Sequence, residues 1–172
     1  ACIGQPTSGE QLSICSQYTL NEIQKWLAFA EKESLINPIE NPQNIKNEKV
    51  HFTTIETLET IYKKIPNPQK VTLHKTIILR LIQNKEKHPF KLNPFDILPH
   101  IQHCHKELKD QKIITLLSEL SLIGARRALN TQAYTQATHY LTQALDLLKR
   151  TPTAYNIPLK QALTTTLGNC YY

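Results

Sequence analysis

Apolar residues return every third or fourth position through most of this chain, the spacing that lays one stripe along an α-helix. Near the start, Thr7 or Ser8 is placed to cap a helix reaching Gln17, with Leu12, Ile14 and Cys15 as its apolar positions. Thr19 followed by Glu22 has the spacing of a capping box. The helix behind it, 20–33, gathers Leu20, Ile23, Leu27 and Ala30 on one side with Trp26 beside them. The period then changes. Two short apolar runs, 35–39 and 50–52, flank a polar Asn/Pro/Lys stretch at 40–48, which predicts two strands and a turn. A helix over 54–64 follows, with Ile55, Leu58, Ile61 and Tyr62 facing inward. Two or three helices followed by a two-stranded hairpin outline a winged helix-turn-helix.

From Val71 the pattern is helical without interruption by strands. Helices are predicted at 71–84, from the cap Asn93 and first-position Pro94 onward, from Asp110 to Leu129, from Thr131 to Lys149, and at about 157–169. Small residues recur where two antiparallel helices of this set must approach closely: Ala125 on one, Ala137 and Ala144 on the next, with Leu141 a turn past Ala137. Those steps match the small positions of a tetratricopeptide-type hairpin. Such a unit buries its apolar side only against stacked neighbours. A protein-binding or scaffolding role follows from that dependence.

Composition narrows the picture. Four glycines in 172 residues are few for a sheet-and-turn protein. No apolar run is long enough to span a membrane. Residues 1–65 hold six lysines against eight acidic residues, net −2, while 66–172 hold fourteen basic against six acidic, net +8. The step falls at Pro66-Asn67-Pro68 and suggests a boundary there. The chain begins Ala1-Cys2-Ile3-Gly4 and contains no Met, a start compatible with a fragment, a mature secreted protein or a lipoprotein acylated at Cys2. Cys2, Cys15, Cys104 and Cys170 are scattered, and buried thiols are expected over bridges.

Candidate chemistry is sparse. His100 and His103, three apart on a helix, together with Cys104 offer metal ligands. A zinc site takes four ligands, however, and no second cluster at matching spacing stands elsewhere, so no metal and no cofactor are expected. A Cys104–histidine nucleophile lacks an orienting third group, and adjacent helix positions point apart. Glu31/Glu33 and Glu56/Glu59 read as solvated faces. The natural recognition helix of a DNA reader, 19–33, sets Lys25 and Lys32 against Glu22, Glu31 and Glu33, which neutralises few phosphates. A basic second half can meet nucleic acid, acidic lipid or an acidic partner; its lysines and arginines are dispersed, which reads as a solvated cationic surface.

Four stretches together resemble a known family. Ala1-Cys2-Ile3-Gly4, residues 26–36 (Trp26 to Ile36), the passage His51-Phe52 through Ile61-Tyr62-Lys63-Lys64-Ile65-Pro66 to Leu73-His74, and Phe95 to Ile101 with Leu120 to Ala137 keep their order over nearly the whole length. They resemble the region C-terminal to the nucleotide-binding core of STAND-class predicted ATPases found in multidomain serine/threonine and hybrid histidine kinases. Two departures stand out. Thr53-Thr54 follow Phe52 where the family has a His-Asp pair, and no Gly-x-x-x-x-Gly-Lys-Ser/Thr loop is present. The resemblance implies a winged-helix-like module at 1–65, a tetratricopeptide-like bundle at 66–172, and a cytoplasmic, non-catalytic arm that contacts a protein partner or neighbouring domains of its parent.

The expectation is therefore a mainly α chain. Trp26, Leu27, Phe29, Phe52, Tyr62 and Phe95 are expected in the core, and Ala125, Ala137, Leu141 and Ala144 at helix contacts. Two other readings stay open: a free-standing secreted or lipid-anchored helical adaptor, and a winged-helix nucleic-acid regulator.

Overall fold

The computed structural model describes residues 7–39, 49–87, 93–150 and 156–171. Cys2, the Ala1–Gly4 stretch that carries part of the resemblance and the polar stretch at 40–48 lie outside them. The described residues are mainly helical, with eight α-helices and one three-stranded antiparallel sheet. The chain divides into two compact units, Ala1–Lys91 and Leu92–Tyr172.

The first unit runs β1 (Thr7–Ser8), α1 (Gly9–Cys15), α2 (Leu20–Lys32), β2 (Ile36–Ile39), β3 (Lys49–Phe52), α3 (Ile55–Lys64) and α4 (Asn67–Lys87). Ser8 ends the strand and caps the helix. Its Oγ accepts the Gln11 N–H at 3.2 Å while Gln11 Oε1 accepts the Ser8 N–H at 3.1 Å. Thr19 and Glu22 form the same box at the head of α2, and Glu22 Oε2 accepts the Thr19 N–H at 2.8 Å. That backbone bond, helped by the Thr19 hydroxyl, holds the Glu22 carboxyl below its ordinary pKa. The end of α2 is a Schellman motif: Leu35 N–H donates to Ala30 O and Ser34 N–H to Glu31 O, both at 2.9 Å. Ser34 holds φ 56°, where glycine is the usual occupant.

Three strands line up in the order β1-β3-β2, with Thr7 opposite Val50 and Ile36 opposite Phe52. The two-residue β1 was not foreseen as a strand, because Thr7 and Ser8 read only as caps. Buried apolar side chains in this unit are Cys15, Ile23, Ile36, Ile77 and Ile78. Three residues expected in the core sit elsewhere. Trp26 is 50% exposed and Phe29 63% exposed. At 3.6 residues per turn the inner stripe of α2 is Ile23, Leu27 and Ala30, and Phe29 falls on the far side of the helix. Leu27, Phe52 and Tyr62 are half-buried.

In the second unit the order is α5 (Pro94–Cys104), a 3₁₀ turn (His105–Glu107), α6 (Gln111–Asn130), α7 (Tyr134–Leu148) and α8 (Ile157–Gly168). Phe95, the third displaced residue, is in the first turn of α5 and only tilts against Tyr140 at 6.3 Å, because Ile97, Leu98 and Ile101 take the inward face. Asp110 caps α6 through the N–H groups of Lys112 and Ile113.

Three residues join α6 to α7. Ala133 N–H donates to Ala128 O at 2.8 Å and Gln132 N–H to Leu129 O at 2.9 Å, a second Schellman end with Gln132 at φ 59°. Thr131, expected to start α7, instead closes α6 and gives its hydroxyl to Ala128 O at 3.0 Å. The helix begins at Tyr134 without a side-chain cap.

The hairpin is the most extensive helix contact among the described residues. Ala125, Ala137, Leu141 and Ala144 are fully buried there. So are Ser118 and Ser121, whose hydroxyls donate within α6 to Ile114 O at 2.9 Å and Leu117 O at 2.8 Å. Gly124 opens room for α5: a Cβ at that position would lie 2.6 Å from Leu98 Cδ1. Ile97, Leu98, Ile101, Leu117, Leu147, Leu148 and Leu163 complete a dense core.

Candidate functional site

Among the described residues of the first unit, α2 and the turn before it carry a group of exposed aromatic side chains. Tyr18, in the turn before the helix, meets Trp26 edge to face with ring centroids 4.5 Å apart. Phe29, three residues further, is on the neighbouring helix position and more exposed than either. The same helix and its C-cap carry Glu22, Glu31 and Glu33 against Lys25 and Lys32, all exposed. Burial of Ile23 fixes the rotation of α2, which leaves Trp26 half-exposed at the flank of the inner stripe and turns Phe29, a further three residues on, towards solvent. Such a face supplies apolar area and a polar rim, the ingredients of a protein contact. The helical period, taken with the inner stripe, already carried this signal. The usual preference of large aromatics for cores masked it.

A second cluster joins α3 and α4. Tyr62 Oη lies 2.9 Å from His74 Nε2, and His74 is buried. The Lys70 ammonium sits 4.5 Å from the centre of the Tyr62 ring, a cation–π contact. This ties the two helices together.

The possible metal ligands do not converge. His100 and Cys104 are buried on the inner side of α5, whereas His103 is exposed. Cys104 donates its S–H to the His100 carbonyl at 3.4 Å. Burial, and secondarily the neighbouring His103, push the His100 pKa down from 6.5 to about 4. Among the described residues no group of three His, Cys, Asp or Glu side chains could hold a metal ion. Cys15 is likewise buried, and half-buried Cys170 donates to Thr166 O at 3.4 Å. No helix among the described residues is long and apolar enough to cross a membrane.

Comparison with protein-family models, with curated proteins and with solved structures finds no match to this chain.

Proposed function

We propose that this chain is a non-catalytic arm of a STAND-class signalling ATPase, a segment that makes protein–protein or inter-domain contacts while nucleotide is handled elsewhere. Two features of architecture support the reading. In the first unit, α1 and α2 are joined by four residues, as in a helix-turn-helix, and are framed by a sheet in the order β1-β3-β2. That is the arrangement expected of a winged helix. In the second, a hairpin closed by small residues and followed by α8 fits the tetratricopeptide-like expectation.

The exposed aromatic group of α2 and the turn before it carries the functional conclusion. A DNA-reading helix in this position brings cations to phosphates. Here it brings Tyr18, Trp26 and Phe29, with three glutamates against two lysines. Exposed aromatics are the side chains from which protein contacts draw most of their energy. A nucleotide switch in the parent then biases which neighbour this face packs against.

The test uses the full-length product of the reading frame. Lys25 and Lys32 should cross-link to a neighbouring domain or partner, and the Trp26→Ala/Phe29→Ala double variant should lose those cross-links while melting normally. An upstream reading frame without a phosphate-binding loop overturns the ATPase part. Salt-sensitive binding of duplex DNA overturns the protein-contact part.

A further inference from the structure

Between the last turns of α6 and the length of α8 runs a groove of about 580 Å³, within the range of ligand-binding clefts. Arg126, Leu129 and Asn130 line it from one turn of α6, and Gln161, Ala162 and Asn169 from one face of α8. Arg126 is the only charged residue of the lining, so the groove holds one positive charge and no carboxylate. Neither ion pair found among the described residues involves it.

The remaining polar groups are mostly carboxamides. Each presents a donor and an acceptor, the complement of a peptide unit. Leu129 and Ala162 supply apolar floor between them. A guanidinium forks onto a carboxylate through two parallel N–H groups. A phosphate carries a charge approaching −2 at neutral pH, more than this single cation balances.

We propose that the groove receives an extended acidic segment of a partner protein, with one Asp or Glu carboxylate on Arg126 and the segment's backbone against Asn130, Gln161 and Asn169. This rests on the reading of the chain as a protein-contact arm and names the chemistry of one partner.

Fluorescence anisotropy with a labelled peptide alternating Glu and Leu tests it, using its Gln-for-Glu counterpart as the neutral arm. Arg126→Gln should weaken binding of the acidic peptide by about tenfold or more, the scale of a lost charge-assisted pair. Arg127→Gln, one position round the helix, should change it less than about twofold. Asn130→Asp, which puts a like charge in the groove, should also abolish binding.

Equal losses in Arg126→Gln and Arg127→Gln would reveal a diffuse cationic surface and overturn the proposal. So would equal affinity for the neutral peptide, no binding of either peptide, or displacement of the peptide by free glutamate or inorganic phosphate at the peptide's own concentration. Failure of peptide binding with the Lys25 and Lys32 cross-links intact removes this inference alone. Cross-links that are absent from the unsubstituted chain, with peptide binding retained, remove the α2 reading instead.

Discussion

The two units describe almost equal lengths of chain and hide very different amounts of apolar surface. Among the described residues, eighteen apolar side chains are buried in the second unit and five in the first. Large exposed hydrophobics run the other way, with Trp26, Phe29 and Ile55 foremost in the first unit. The second unit is held by a core of its own. The first relies more on local devices: two capping boxes, a Schellman end and a small sheet. Regions with few buried contacts open at lower free energy, so hydrogen exchange should protect α6 and α7 far longer than α1 to α3.

The sharpest way to break this comparison is a matched pair of truncations. Leu141→Ala removes a fully buried side chain from the hairpin and should cost about 2–5 kcal/mol. Ile55→Ala, at 75% exposure in the first unit, should stay within about 0.5 kcal/mol. Urea denaturation followed on both variants checks the contrast, and equal losses would refute it.

Acid supplies the next largest effect. His100 titrates near 4 when folded and near 6.5 when unfolded, so the unfolded chain binds the extra proton first. Stability is therefore full above pH 6.5 and is lost as pH falls towards 4, by roughly 3 kcal/mol at most. His100→Gln should flatten that slope in melts recorded across this window. An unchanged slope would place the acid sensitivity elsewhere.

Ala137→Leu should overpack the α6–α7 seam by about 1–3 kcal/mol and lower the melting temperature. Smallest, and of opposite sign, are Ser34→Gly and Gln132→Gly. Both positions already hold left-handed backbone, so each exchange should stabilise by about 0.5–1 kcal/mol. Paired melts of the two variants would show whether the first unit gains as much as the second.

Local chemistry was the most legible part of the sequence. Thr19 with Glu22, Asn93 with Pro94, and Asp110 each announce a helix start, because the side chain that satisfies the first free N–H groups must sit at a fixed offset. Ala125, Ala137 and Ala144 could be read for a similar reason, since only small side chains let two helices close. Ser118 and Ser121, fully buried on α6, and Gly124, which makes room for α5, were not legible in the same way. Serine reads as polar until its hydroxyl is seen bonded within its own helix.

Charge and contacts divide the chain at different places. The step at Pro66 reflects α4, whose cations lie with the first unit. Counted over the two observed units, twelve basic residues oppose nine acidic ones and eight oppose five, net +3 in each. Nor did the sequence reveal the groove beside Arg126. Its walls come from helices 30 or more residues apart, and no local period links Asn130 to Gln161.

Pro38 has a consequence for self-association. Thr53 N–H donates to Leu35 O, so the pair two steps along from Ile36–Phe52, Pro38 opposite Val50, is of the type whose backbone groups turn away from the partner strand. The missing N–H of Pro38 therefore sits on the free rim of β2. A stray strand arriving there finds a gap in the ladder it would need. In a chain that wears Trp26 and Phe29 openly, Pro38 thus obstructs zipping to a second copy along the β2 edge of the described sheet.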